Sequence, residues 1–127
     1  MSSMAVELQK ANDAFYLAFQ KLDIEKMKDI WLDSDETKCI HPGWPALFGY
    51  EKIIQSWQGI FLNTEYVECQ ATDTWIMQHG LLGVVSNTEI IHSPNQGSLK
   101  QARVKATNVF LFEENSWKMV IHHASAA

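Results

Sequence analysis

The sequence predicts an α+β fold in which three N-terminal helices gather on one face of a mainly antiparallel sheet. Three observations lead there. Up to Leu62 the apolar residues mostly recur at three- and four-residue steps, the spacing that buries one face of a helix. Beyond Thr64 the pattern changes to period two, rich in Val, Thr, Trp and Ile, with turn residues between the runs. Between them lies Cys39-Ile40-His41-Pro42-Gly43-Trp44-Pro45, where a short apolar run meets two prolines and a glycine.

Each element has its own signal. From Met4, the residues Val6, Leu8, Ala11, Ala14, Phe15, Ala18, Phe19 and Leu22 form one face of a first helix ending near Lys21 or Leu22. Asp23 is placed to cap a short second helix, because its carboxylate can accept free first-turn N–H groups. Glu25 adds negative charge at the positive end of that helix. Ile24, Met27, Ile30, Trp31 and Leu32 form its buried side, and residues 33–36 close it. Residues 37–41 read as a short strand, stopped by Pro42, Gly43 and Pro45. A third helix over 50–62 follows, with Ile53, Ile54, Trp57, Ile60 and Phe61 as its apolar side. Strands are then expected at 66–77, 81–92, 102–112 and 117–123, separated by a turn at 78–80, a loop at 93–98 and a turn at 113–116.

Length and composition bound the class. With 127 residues, 46% hydrophobic and 20% charged, the chain is expected to form one globular domain over 1–127. A net charge of −5 provides no broad basic surface, so neither nucleic acid nor an anionic membrane is an expected partner. No apolar run approaches the roughly 20 residues of a membrane-spanning helix, and the first residues lack a basic segment followed by an apolar core. Cys39 and Cys69 are too few for a disulfide framework, and free thiols fit a reducing compartment. A cytoplasmic domain is the expectation.

His41 is the first candidate for chemistry. It ends a strand beside a rigid loop and a helix start, a layout suited to a pocket wall. A neutral imidazole there can take or give a proton near pH 7; the alternative is a structural histidine bonded within the tight loop. Trp44 lies in the loop and on no periodic face, which suits a ligand contact. Asn108 sits mid-strand among Val104, Ala106, Phe110 and Phe112, and must bond either a ligand or a partner such as His41 or His122. Ser86 and Thr88 share a parity with Val84 and Ile90 and are further candidate polar contacts, whereas Asp73 and Glu89 are expected in solvent or at an interface. His122 and His123 point to opposite faces of their strand. His41, His122 and Cys39 show no metal-ligand spacing, so no metal is expected.

The order of elements resembles the nuclear transport factor 2-like superfamily. Leu22-Asp23-Ile24-Glu25-Lys26-Met27, Leu47-Phe48-Gly49-Tyr50-Glu51-Lys52-Ile53, and the ending Thr107-Asn108-Val109-Phe110…Trp117-Lys118-Met119-Val120-Ile121-His122-His123-Ala124-Ser125 look like its SnoaL-like and kinase association-domain branches. The resemblance implies a cone-shaped fold whose strongly curved sheet encloses a pocket against the helices, and a homodimer through the outer sheet face. Aligned with the ketosteroid isomerases, the general base falls on His41 before Pro42. Their oxyanion tyrosine falls on Phe15, its two supporting tyrosines on Trp31 and Trp57, and their protonated aspartate on Asn108. That set is not retained, so steroid isomerisation is not expected. The same alignment turns Lys118, Val120 and His122 inward, and Trp117, Met119, Ile121 and His123 outward. The expected ligand site is therefore His41 as proton-transfer residue with Trp44, Trp57, Asn108, His122, Phe15, Trp31 and Phe61. Its ligand would be small and largely apolar, with no cofactor. The competing function is a non-catalytic assembly module whose cavity is filled by Trp31, Trp57 and Phe61.

Overall fold

The computed structural model describes residues 3–127. Helix α1 (Met4–Lys21) is capped by Ser3, whose hydroxyl accepts from the Val6 N–H at 3.1 Å. It ends where Leu22 turns left-handed (φ 54°). Asp23 then caps α2 (Ile24–Ile30), its carboxylate accepting from the Lys26 N–H at 3.1 Å, as its position predicts. Strands β1 (Lys38–Ile40) and β2 (Leu47–Phe48) flank the proline loop, and α3 (Tyr50–Leu62) follows Gly49, whose φ of 91° favours glycine.

Four long strands complete the sheet: β3 (Glu68–His79), β4 (Leu82–Asn95), β5 (Ser98–Glu113) and β6 (Ser116–Ala126). Their order is β2-β1-β6-β5-β4-β3, antiparallel throughout except for the parallel pair β1–β6. The predicted fold class therefore holds: three helices on a six-stranded, mostly antiparallel sheet. The loop expected at 93–98 is instead the end of a hairpin, with Asn95 paired to Ser98. Gln96 (φ 52°) and Gly97 (φ 84°) form the two-residue turn, whose left-handed geometry matches strand twist and lets pairing run to the tip.

The inner face carries the core. Leu8, Phe15, Met27, Ile53, Val85, Phe110 and Met119 are fully buried, with Trp31 and Trp57 beside them. Helix α1 comes so close to β4 that a Cβ on Gly83 would lie 2.6 Å from Leu8. Any side chain at this position would force Leu8 to shift within the core.

Two strand irregularities reset which residues face inward. In β3, Thr72 pairs with Thr88 and Trp75 with Ser86, so one extra residue is inserted, and Asp73 takes φ 53°. In β6, Phe110 pairs with Met119 but Val109 with Ile121, leaving Val120 as the extra residue. A single parity along β6 therefore fails. Trp117 and Met119 are buried in the core and do not face outward, while His122 and Ala124 are buried beyond the bulge. His123 is exposed, as the alignment placed it. On β4 the inward residues are Val85, Asn87 and Glu89; Ser86 and Thr88 lie on the outer face. Glu89, expected in solvent or at an interface, is 2% exposed because Tyr16 of α1 gives its carboxylate a buried partner.

Candidate functional site

His41 is held at the end of β1 by the turn that follows it. The Trp44 N–H donates to the His41 carbonyl at 2.9 Å, with Pro42 and Gly43 (φ 81°) at the corner. The imidazole lies between two indoles, 4.8 Å from Trp44 and 4.7 Å from Trp57 between ring centroids, both edge to face. Its Nε2 is 2.9 Å from the Ser56 hydroxyl, which itself donates to the Ile53 carbonyl at 2.6 Å. With the hydroxyl proton used there, Nε2 is the donor to Ser56, and this bond pattern assigns the tautomer. Cys39 Sγ lies 3.7 Å from the same nitrogen. Burial pulls the His41 pKa down to about 4, so the ring is neutral at pH 7.

His122 is held by a longer chain of bonds. Its Nδ1 lies 2.6 Å from Asn108 Oδ1, the residue it faces across β5–β6. The Asn108 amide donates to Asn12 Oδ1 at 2.9 Å and to the Tyr16 hydroxyl at 3.1 Å. Asn12 donates to Asn87 at 3.0 Å, and Asn87 to the Tyr16 hydroxyl at 2.8 Å. Tyr16, accepting two bonds, gives its own proton to Glu89 at 2.7 Å. The amide orientation assigns the proton to His122 Nδ1. Burial, with smaller effects from His41 and His123, lowers the His122 pKa to about 3. Burial raises Glu89 to about 7, partly offset by the Tyr16 bond, and raises Tyr16 far above its ordinary range.

The predicted site residues thus converge, but on two separate clusters. Asn108 and His122 belong to the polar network between α1 and the sheet. His41 belongs to the loop and α3, and its ring centroid is 6.5 Å from that of His122. Trp57 stands near both, and Phe15 packs on His122 at 4.8 Å. Phe61 lies against Trp57 at 5.7 Å, and Trp31 is buried at the end of α2, bridged to Met119. These side chains fill the cone. Phe15, Asn108, Trp31, Trp57, His122 and His41 are 0–3% exposed, and Trp44 alone of the set is broadly exposed, at 44%. Among the described residues, two buried side-chain polar atoms have no hydrogen-bond partner, Trp31 Nε1 and Trp57 Nε1. Among the described residues, no group of three His, Cys, Asp or Glu side chains is placed to hold a metal ion.

Asn12, Tyr16, Ser56 and Asn87 were not singled out by the sequence, and Glu89 was expected in solvent or at an interface. Asn12 carried a readable signal: it lies one turn after Leu8 and one before Tyr16 on a helix face that is otherwise apolar. Asn87 and Glu89 alternate with outward residues in phase with Val85, but that phase is fixed only by pairing with β5.

With this geometry in view, known proteins agree on the family. A SnoaL-like domain profile matches residues 8–127. The chain belongs to the SnoaL-like domain family. A solved structure from Streptomyces avermitilis, named a candidate dehydratase of the NTF2-like family, is 36% identical, with a TM-score of 0.90 over 97% of this chain and 95% of that one. A candidate calcium/calmodulin-dependent protein kinase type II association domain from Thiobacillus denitrificans is 27% identical, with a TM-score of 0.84 over 94% of each chain. The Arabidopsis thaliana F-box protein SKIP8 is 28% identical over 123 positions, covering 90% of this chain. This chain spans about half (47%) of that relative's length. An NTF2-like protein from Salmonella enterica, 17% identical with a TM-score of 0.86, shares the fold.

Proposed function

We propose that this SnoaL-like domain is an assembly module that pairs with a second copy of itself through the outer face of its sheet. The observation that carries this reading is the contrast between a filled interior and an unfilled exterior. On the outer face Met77, Val84, Val109 and Ile121 lie in register across four strands, forming one apolar row. Trp75 and Leu82, on the flanking rows, are 53% and 41% exposed, and Met77 is 42% exposed. A two-fold axis would lay this row on its own copy, the self-complementary arrangement that closed dimers use. The likeness to a kinase association domain supports the same direction. The buried, free thiols of Cys39 and Cys69 suit a reducing compartment, and we place the module in the cytoplasm.

Size-exclusion chromatography with light scattering tests the pairing. The expected mass is twice the 14.5 kDa of the chain, falling to a single chain in Met77→Glu/Val109→Glu with its circular dichroism retained. A wild-type monomer at micromolar concentration would sink the proposal.

One observation favours a second reading, a small-molecule site under Trp44. Trp57 offers a buried, unpartnered N–H beside neutral His41, and Trp44 covers that imidazole from the solvent side. If Trp44 swings aside, His41 is placed for proton transfer on a small, largely apolar substrate of the lyase or isomerase type. A fragment screen by thermal shift decides: hits lost in His41→Ala support it, and no hits on wild type count against it.

A further inference from the structure

The outer sheet face also has a polar half. Next to the apolar row, Ser86, Thr107 and His123 lie in register across β4, β5 and β6, and Thr88, Lys105 and Ser125 form the row beyond it. Together with Asp73 at the β3 bulge they line a cleft of about 360 Å³. That volume falls in the range of small-molecule sites, which span roughly 300–1,000 Å³.

Its electrostatics point to a ligand. Lys105 Nζ donates to the Thr88 hydroxyl at 3.1 Å, and Thr88 is itself buried. Among the described residues no carboxylate lies within ion-pair distance of Lys105. One ammonium proton is therefore directed at a neutral oxygen and its charge is left without a counter-ion, over a floor of hydroxyls. An ammonium beside serine and threonine hydroxyls and an imidazole is a set of donors and positive charge, the complement of an oxyanion. Asp73 stands at the opposite, β3 side of the same cleft, where it would repel an anion and accept from a hydroxyl or an amine.

We propose that this outer-face cleft binds a small two-ended molecule, with a carboxylate or phosphate ester held by Lys105 and a hydrogen-bond donor directed at Asp73. The site shares the outer face with the apolar row, and its Ser86–Thr107–His123 row continues into Trp75 on β3, but Lys105 and Thr88 lie one row further out and the site does not rest on the pairing proposed above.

The test is a titration followed by amide chemical shifts, using glycolate as the carboxylate probe and glycerol 3-phosphate as the phosphate probe, with sodium chloride at matched ionic strength as the control. Saturable shifts confined to residues 86–88, 105–107 and 123–125 are expected with at least one probe. Lys105→Met should weaken that binding at least tenfold, and Thr88→Val should weaken it less. The responding probe identifies which oxyanion the site takes. Should Lys105→Met lose its dispersed spectrum, Ser125→Ala serves as the second variant, with weakened binding expected. No saturable shift with either probe, or shifts unchanged in the variants, would overturn the proposal.

Discussion

His41 and His122 are buried to nearly the same degree, both neutral and 6.5 Å apart between ring centroids, yet they are held in different ways. His122 is one end of a chain of bonds that runs through Asn108 to Asn12, Asn87, Tyr16 and Glu89 and fastens α1 to three strands. His41 rests on a serine hydroxyl, the Cys39 thiol and two indoles, one of them open to solvent. Burial alone therefore does not say what an imidazole is for; how far its partner is tied into the rest of the fold does. His122 belongs to the scaffold, and His41 is the one whose surroundings can rearrange.

The contrast can be broken most severely at Asn108. Asn108→Ala should cost about 3–5 kcal/mol, because it leaves His122, Asn12 and Tyr16 with unmet bonds in a dry interior. Urea unfolding measures this, and a loss under about 1 kcal/mol would mean that the network is not what fixes His122.

Glu89 gives the next largest effect, through pH. Its folded pKa of about 7 lies above the ordinary 4.5, so its contribution is full below about pH 4.5 and is lost as pH rises through 7. The histidines have the opposite sign. Their folded values of about 4 and 3 lie below 6.5, so their contribution is present above pH 6.5 and is lost as pH falls through the folded values. Stability should therefore be greatest near pH 6.5. Glu89→Gln keeps an acceptor for Tyr16 and should gain on wild type by about 3 kcal/mol between pH 4 and pH 8. Parallel curves for the two proteins would show that Glu89 does not titrate in the core.

The His41 side should yield smaller numbers. Ser56→Ala removes one hydrogen bond and should cost about 1 kcal/mol in the same unfolding assay. Trp44→Ala should change stability by less than about 1 kcal/mol while admitting water to the ring. In a proton-detected titration the His41 pKa should then rise from about 4 toward 6.5, with His122 unmoved. Movement of both together would erase the distinction between them.

Much of this was legible in the sequence where the cause is local. Asp23 caps α2 through a contact three residues away, the proline loop sets its own turn, and the change of period at Thr64 marks the sheet. The interior chemistry was less legible because its causes are distant. Glu89 is buried by a tyrosine 73 positions away, and nothing around Glu89 announces it. The inward phase of β6 changes at Val120, a bulge defined by pairing with Val109 and Phe110 and not by β6 itself. His122 came out on the expected side, while Trp117 and Met119 did not, because one rule of alternation was applied across that bulge.

The parallel pairing of β1 with β6 sets an order of events. Lys38, Cys39 and Ile40 meet Ile121, His122 and His123, and the Leu32 N–H donates to the Met119 carbonyl at 3.0 Å. Both contacts join the first third of the chain to its last strand, so closing them carries the entropy of a long loop. During synthesis α1, α2 and α3 leave the ribosome well before β6 exists. Until β6 arrives, the strand that carries His41 has only the two-residue β2 to pair with. The His41 end of the molecule is thus among the last parts to become fixed as the chain is made.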